Sequence, residues 1–229
     1  AVDPKNVRII VPPLGGGFGA KGNVRTQPMA AALAWKSRGR PVKLVMTRAE
    51  EFLTVTKHAA KIKIKSGVKL DGTFTARKVT SYWNGGAYAS SSAHLVHAGM
   101  LRTIGPYRIP AVHVDSYGIY TNLPIAAAYR GAMSSQGVFA HESHMDTIAN
   151  RLSMDPFELR KKNILQADDT FATGESLRNI YFIDCLQAAV DGIGWHKPLP
   201  QDSRTIKKYG RGAAVMMKNT IANSSSECR

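Results

Sequence analysis

Apolar and polar positions alternate along parts of this chain and recur at helical spacing along others. VRIIV at 7–11 is a compact apolar run halted by Pro12-Pro13, and it predicts a strand. PVKLVMT at 41–47 predicts a second. The cleanest alternation is KIKIKSGVKLDGTF at 61–74, with Ile62 and Ile64 on one face and Lys61, Lys63 and Lys65 on the other. Asp71-Gly72 then predicts a hairpin turn into a return strand, TARKVTSYWNGGAYA at 75–89. AVHVDSYGIYT at 111–121 adds a further run rich in Val, Tyr, Ile and Thr.

Helical spacing governs the rest. VRTQPMAAALAWKSRG at 24–39 predicts an alanine-rich helix ending at Gly39, and RAEEFL at 48–53 a short helical turn. From Ser134 the period settles. SSQGVFAHESHMDTIANRLSM at 134–154 gathers Val138, Met145, Ile148, Ala149 and Leu152 mostly on one face. MDPFELRKKNIL at 154–165 carries a strong start signal: Asp155 as N-cap, Pro156 at the first helical position and Glu158 at the capping-box position. FIDCLQAAVDGIGW at 182–195 predicts a third long helix, RGAAVMMKN at 211–219 a small strand, and the chain ends in polar TIANSSSECR. The layout is strand-rich over 1–125, helix-rich over 134–195 and closed by that terminal strand. Strand and helix do not alternate regularly, so the fold class is α+β, a mixed antiparallel sheet with packed helices.

Composition narrows the function classes. A chain of 229 residues with 44% hydrophobic and 21% charged residues can bury a sizeable core and is neither fibrous nor disordered in type. No apolar run approaches the roughly 18–20 residues of a membrane span. The start, AVDPKNVRII, has no signal core and no initiator methionine, so the chain reads as processed or as a portion of something longer, with a cytoplasmic setting expected, or a periplasmic one if the full protein carries a signal. Cys185 and Cys228 are too few for a disulfide framework, an iron–sulfur cluster or a structural zinc site. The net charge of +15 is the unusual quantity. Its lysines and arginines are spread from Lys5 to Arg229, with Arg160-Lys161-Lys162 the densest cluster, and no zinc-finger spacing, RNA-binding signature or basic heptad accompanies them. Acidic partner surfaces account for such a charge better than nucleic acid. A basic nucleotide- or nucleic-acid-binding module without catalysis is the alternative reading.

Two stretches carry candidate chemistry. Gly15-Gly16-Gly17-Phe18-Gly19-Ala20 formally fits G-x-G-x-x-A, the dinucleotide fingerprint. Pro12-Pro13-Leu14 separates it from the strand too widely, and no acidic residue follows about 20 positions on. The nucleoside-triphosphate loop needs Gly-Lys followed by Ser or Thr, where this chain has Ala20-Lys21-Gly22. What remains is backbone without Cβ atoms, able to approach a bulky ligand and aim N–H groups at it; a tight turn packing helix on strand is the plain structural alternative. The second stretch, TNLPIAAAYRGAMSSQGVFAHESHMD at 121–146, leads through Ala126-Ala127-Ala128 into Tyr129-Arg130-Gly131 just ahead of a helix start, a place suited to an anionic ligand.

Taken in order, VPPLGGGFGAKG, TNLPIAAAYRGAMSSQ and LSMDPFELRKKNIL resemble the molybdenum-cofactor-binding subunit of the xanthine dehydrogenase/aldehyde oxidase family, over Val7 to about Asn219, with TGESLRNIYFIDCLQAA at 173–189 similar to the family's lead into a helix. The resemblance implies that residues 1–229 are the central portion of a larger molybdopterin-binding architecture. It implies a molybdenum hydroxylase that inserts a water-derived oxygen at an electron-poor carbon of an aldehyde or N-heterocycle. The implied cofactor is molybdenum–molybdopterin in a dinucleotide form, with iron–sulfur clusters and FAD on partner domains or subunits. The remainder of the molybdopterin domain, those iron–sulfur and flavin subunits and a small-molecule substrate are then the partners.

By the same resemblance Gly16, Gly17, Phe18, Gly19, Arg130 and Gly131 bind the cofactor. Phe18 and Arg130 stand near the metal, Arg130 through its backbone N–H, and Tyr129 lines the substrate pocket. Three pocket positions depart from purine-oxidising members. Gly22 replaces a glutamate, Ala98 an arginine and Ala132 an aromatic residue, which implies a substrate other than xanthine. Gly131 stands where the carbon monoxide dehydrogenase branch has a cysteine, which tells against that branch. The family's general-base glutamate is expected C-terminal to these motifs, so no catalytic residue is assigned here and the chain is expected to be inactive alone.

Other polar clusters imply less. His141-Glu142-Ser143-His144 misses the H-E-x-x-H zinc spacing, His94 and His97 have no third ligand, and Asp168-Asp169 lacks partner carboxylates; solvated or core-satisfied groups are expected at each.

Overall fold

The lysine–isoleucine alternation builds an edge strand in the computed structural model of the chain, which describes residues 2–199, 206 and 208–217. In β2 (Ala60–Val68) Ile62 and Ile64 are half-buried while Lys61, Lys63 and Lys65 are exposed. The Asp71-Gly72 turn forms as expected. Gly72 takes φ +85 and the Thr73 N–H donates to Asp71 Oδ1 at 3.0 Å, leading into β3 (Phe74–Gly86), which pairs antiparallel with β2. β4 (Ala111–Tyr120) lies on the other side of β3, but parallel to it, Ala76 opposite Ala111. The sheet is therefore mixed, in the order β2–β3–β4, with one antiparallel and one parallel ladder.

A parallel return requires a crossover, and 87–110 supplies it through α3 (Ser92–Arg102). The periodicity did not predict this helix, because its buried face is Ser92, Leu95, Val96 and Gly99: helical spacing, but only half of it apolar. Along β3, Arg77, Val79, Ser81 and Trp83 are buried on one face. α3 packs against β3 and β4, and α4 (Ser134–Leu152) against β2.

α1 (Gln27–Lys36), α2 (Arg48–Thr54), α5 (Pro156–Asn163) and α6 (Phe182–Gly192) stand where helices were predicted. Asp155 caps α5, accepting from the N–H groups of Phe157 at 2.7 Å and Glu158 at 3.2 Å, and it also accepts from Trp195 Nε1 at 3.0 Å. Two-residue strands β1 (Thr56–Lys57) and β5 (Ala126–Ala127) pair in parallel.

The strands expected at 7–11 and 41–47 do not form ladders. Ile9, Ile10 and Val11 are exposed, whereas Val42, Leu44 and Met46 are half-buried between exposed neighbours, so 41–47 keeps the alternation without a strand to pair with among the described residues. Residues 211–217 likewise carry no ladder; Lys218 and Asn219, the TIANSSSECR tail and Cys228 lie outside the described residues. Cys185 is exposed. Among the described residues no helix is long and apolar enough to cross a membrane.

Of the His141–His144 quartet, His141 and Glu142 belong to the core, His144 is half-buried and Ser143 is exposed. Glu142 Oε1 accepts from the Tyr107 hydroxyl at 2.5 Å and lies 2.9 Å from His141 Nδ1; Oε2 accepts from Arg160 Nε at 2.8 Å and from the Val215 N–H at 3.0 Å. Arg160 also meets Asp146 at 2.7 Å. Burial alone would raise the Glu142 carboxyl, but the hydrogen bond to His141 and the charge of Arg160 outweigh it and hold the group below its ordinary value. His144 Nε2 lies 3.1 Å from Ser66 Oγ; burial, with the charges of Arg77 and Arg151, pushes the imidazole down to about 4. His94 and His97 are exposed on α3.

Candidate functional site

The glycine cluster makes a loop that an ordinary sequence could not follow. Gly15, Gly16 and Gly19 take φ +63, +98 and +97, and Phe18 takes +50 among them. A left-handed phenylalanine costs on the order of 1–3 kcal/mol, so the surroundings must hold it. They do so through the second stretch: the Arg130 N–H donates to the Phe18 carbonyl at 2.9 Å. Lys21 Nζ donates to the Leu14 carbonyl, and the Arg25 guanidinium to the Ala20 carbonyl at 2.7 Å, closing the loop on itself.

The Tyr129-Arg130-Gly131 turn is shaped by the same backbone region. Arg130, Gly131 and Met133 have φ +20, +67 and +63, and the Ser134 N–H donates to the Gly131 carbonyl at 2.7 Å as α4 begins. The two turns touch without room for a side chain. A Cβ on Gly19 would sit 2.0 Å from the Ala128 oxygen and 2.5 Å from its carbonyl carbon. The β1–β5 pairing holds Thr56-Lys57 beside this turn, Thr56 opposite Ala126 and Lys57 opposite Ala127.

Between the turns and α2 lies a cavity of about 590 Å³. Gly16, Gly17, Phe18, Tyr129 and Arg130 line it together. Phe18 is 71% exposed, with the Arg130 guanidinium 5.8 Å from its ring centroid and 5.9 Å from that of Tyr129. Lys57 Nζ lies 5.5 Å from the Tyr129 centroid and donates to Ser135 Oγ on α4. Lys21, Arg25, Arg48, Lys57 and Arg130 give the lining five cations against one carboxylate, Glu51, which Arg48 engages at 2.6 Å. The Arg25 Nε is buried without a hydrogen-bond partner among the described residues.

The sequence-derived positions divide into three groups. Gly16, Gly17, Phe18, Tyr129 and Arg130 share the cavity wall; Gly19 and Gly131 shape the two turns behind it. Gly22, Ala98 and Ala132 are not part of that wall. Gly22 is exposed, its N–H on the Gly19 carbonyl at 3.3 Å; Ala98 lies half-buried on α3; Ala132 packs beside Trp83 and Met133. The Arg130 N–H, assigned by resemblance to a metal-bound group, is here committed to Phe18.

Sequence reading missed Arg25, Arg48, Glu51, Phe52 and Lys57, which also line the cavity. The capping box of α2, with Thr47 Oγ1 accepting from the Glu50 N–H, locates that helix but not the face it turns to the cavity. Lys57 lies in a strand too short to leave a periodic signal.

A model of the molybdopterin cofactor-binding domain matches residues 1–164. The xanthine dehydrogenase molybdenum-binding subunit of Escherichia coli O157:H7 is 36% identical over 95% of this chain and 29% of its own length. The nicotinate dehydrogenase large molybdopterin subunit of Eubacterium barkeri is 35% identical over 86% of this chain and 48% of its own. Among solved structures, the aldehyde oxidoreductase of Desulfovibrio gigas superposes with a TM-score of 0.71 at 29% identity, covering 81% of this chain and 21% of that one. Quinoline 2-oxidoreductase of Pseudomonas putida 86 gives 0.72 at 27% identity, covering 80% and 24%. The chain thus spans less than half the length of each of these relatives.

Proposed function

We propose, from the premise that the chain belongs to the molybdopterin cofactor-binding domain of the xanthine dehydrogenase/aldehyde oxidase family, that it forms one wall of a molybdenum hydroxylase centre acting on a non-purine substrate. The observation that carries this is the interlock of the two turns, Gly19 against Ala128 and Arg130 on Phe18, beside a cavity rich in cations.

The residues present fit the group. Molybdopterin is bulky and anionic; the Gly16 and Gly17 backbone on the cavity wall offers close approach, and the five cations complement its charge. When bound, the cofactor supplies the metal at which a water-derived oxygen passes to carbon. This chain's part is positioning. The 15–19 loop and the 129–131 turn hold the cofactor, Phe18 and Tyr129 wall the substrate side and keep water out, and the Arg130 N–H fixes the loop by holding the Phe18 carbonyl. A dinucleotide form of the pterin, and iron–sulfur and flavin groups on other domains or subunits, belong to the same reading.

The substrate class rests on the family resemblance, since Gly22, Ala98 and Ala132 stand outside the cavity wall described above. By that resemblance they replace the polar and aromatic anchors of a purine pocket, and each unpaired buried group on a purine would cost about 1–3 kcal/mol. An N-heterocycle with fewer polar edge groups than a purine, of the isoquinoline kind, or an aldehyde leaves fewer groups unpaired, and the cavity cations can meet the carboxylate of nicotinate. Similarity to a nicotinate dehydrogenase subunit supports this, and similarity at the same level to a xanthine dehydrogenase subunit points toward a purine instead.

The chain purified with its partner polypeptides should contain stoichiometric molybdenum and oxidise nicotinate, isoquinoline or benzaldehyde. Xanthine should give a kcat/KM at least about tenfold lower, the effect of roughly 1.4 kcal/mol. The chain alone should turn over none of them. Absence of molybdenum, a preference for xanthine, or turnover by the isolated chain would each refute the corresponding part.

A further inference from the structure

The exposed face of the sheet carries a charge pattern that the cavity does not use. Lys61, Lys63 and Lys65 stand on β2 at every second residue, so successive side chains are about 6.8 Å apart on one face. In register, Lys61 faces Tyr82, Lys63 faces Thr80 and Lys65 faces Lys78, which in turn lies beside His113 of β4. Like charges directly opposite one another are unfavourable in a ladder. Asp115 answers part of this row, 4.0 Å from Lys78 and 3.0 Å from His113. Among the described residues no carboxylate pairs with the three β2 lysines. At the end of the same face Gly67, Ala76 and Ala111 fall in one row and leave a depression of about 370 Å³ rimmed by Lys65, Lys78 and His113.

β2 is also an end strand of its sheet, with β3 on one side and, among the described residues, no strand on the other. Lysines on an edge ordinarily prevent chance pairing. A guard made of cations alone discriminates by charge: it rejects basic strands and rewards acidic ones.

We propose that the open edge of β2 is a docking edge for an extended acidic segment of a partner polypeptide, seated as a fourth strand whose alternate carboxylates face Lys61, Lys63 and Lys65. The segment's backbone takes up the free N–H and C=O groups of β2, and the period of two that spaces the lysines also spaces its acidic side chains. A protein partner fits better than single-stranded nucleic acid. The aromatic rings on this face, Tyr82 and Tyr117, are stacked on each other at 5.3 Å with planes 16° apart, so they are engaged together rather than spread out as separate platforms for bases.

The probe is a synthetic nine-residue peptide of alternating glutamate and valine, labelled for anisotropy and titrated against the full chain at moderate salt. Binding should saturate and slow amide hydrogen exchange along 60–68. Reversing the edge, Lys61→Glu with Lys63→Glu and Lys65→Glu, should weaken binding at least tenfold and turn preference toward a lysine–valine peptide. A control of equal charge change, Lys5→Glu with Lys36→Glu and Lys43→Glu, should bind within about twofold of the parent, and circular dichroism checks that both variants fold. Equal loss in the two triple variants, no protection of the β2 amides, or tighter binding of an oligothymidine than of the acidic peptide overturns the proposal. None of these readouts depends on molybdenum, so the outcome is separable from that of the hydroxylase reading.

Discussion

At Gly19 one missing atom decides whether two distant turns can meet. The substitution Gly19→Ala puts a methyl carbon where the Ala128 carbonyl already is, at 2.0 Å, and on a backbone with φ +97. Neither neighbour is a flexible side-chain end, so a turn must move, with strain on the order of 1–3 kcal/mol. The expected result is a lowered thermal midpoint and a purified complex depleted of molybdenum. Gly15→Ala is the comparison, since a Cβ there meets nothing within 4 Å; its metal content should stay closer to the parent's. Metal retention by Gly19→Ala equal to that of Gly15→Ala would sink the idea. The glycines and the Tyr-Arg-Gly turn were legible as residues because their types are unusual in combination. Their contact was not, since no periodicity links positions 19 and 128. Arg25 and Lys57 were illegible for another reason: a lone cation in a basic chain looks like any other until the fold brings it to a wall.

Elements were read most securely where local chemistry and tertiary packing agree. The β2–β3 hairpin and α5 are of this kind: an alternating strand with a favoured turn, and a helix with Asp155 and Pro156 at its start. Asp155→Ala removes the acceptor for two helical N–H groups and for the Trp195 indole, and a lost cap alone is worth roughly 0.5–2 kcal/mol. Urea unfolding followed by circular dichroism should show an earlier midpoint and an unfolding free energy lower by that amount or more; an unmoved midpoint would show the cap to be dispensable. Elements failed to be read where partners, not propensity, decide. VRIIV has the composition of a strand but no ladder, and α3 has the spacing of a helix but buries a serine and a glycine at two of its four inward positions. Whether β4 runs with or against β3 is written in the crossover, not in its own alternation.

Across the whole molecule, buried charge ties the sheet, α4, α5 and the 208–217 segment into one acid-sensitive unit. His144 has its proton affinity pushed from the ordinary 6.5 down to about 4, and burial moves His141 in the same direction. The unfolded chain, with histidines near 6.5, therefore binds protons first as pH falls. Stability should be at its full value above about 6.5 and decline progressively toward pH 4. Thermal midpoints measured across that window should fall, and His144→Gln should flatten the slope; a parent midpoint independent of pH from 7 to 4.5 would contradict this. Asp71, held down to about 2 by the Thr73 backbone N–H and by Lys162, adds its own loss only below that window.

The mixed sheet also has an order in time. β3 can meet β2 after only the short turn at 69–73, but it meets β4 only after the whole of 87–110 has been laid down. Closing the longer loop costs more chain entropy and rewards it later. The hairpin is thus complete while the far side of β3 is still open, and during that interval the strand presents an unpaired backbone to whatever is nearby. A newly made chain is most at risk of pairing with another copy then, before α3 has folded and carried β4 into place.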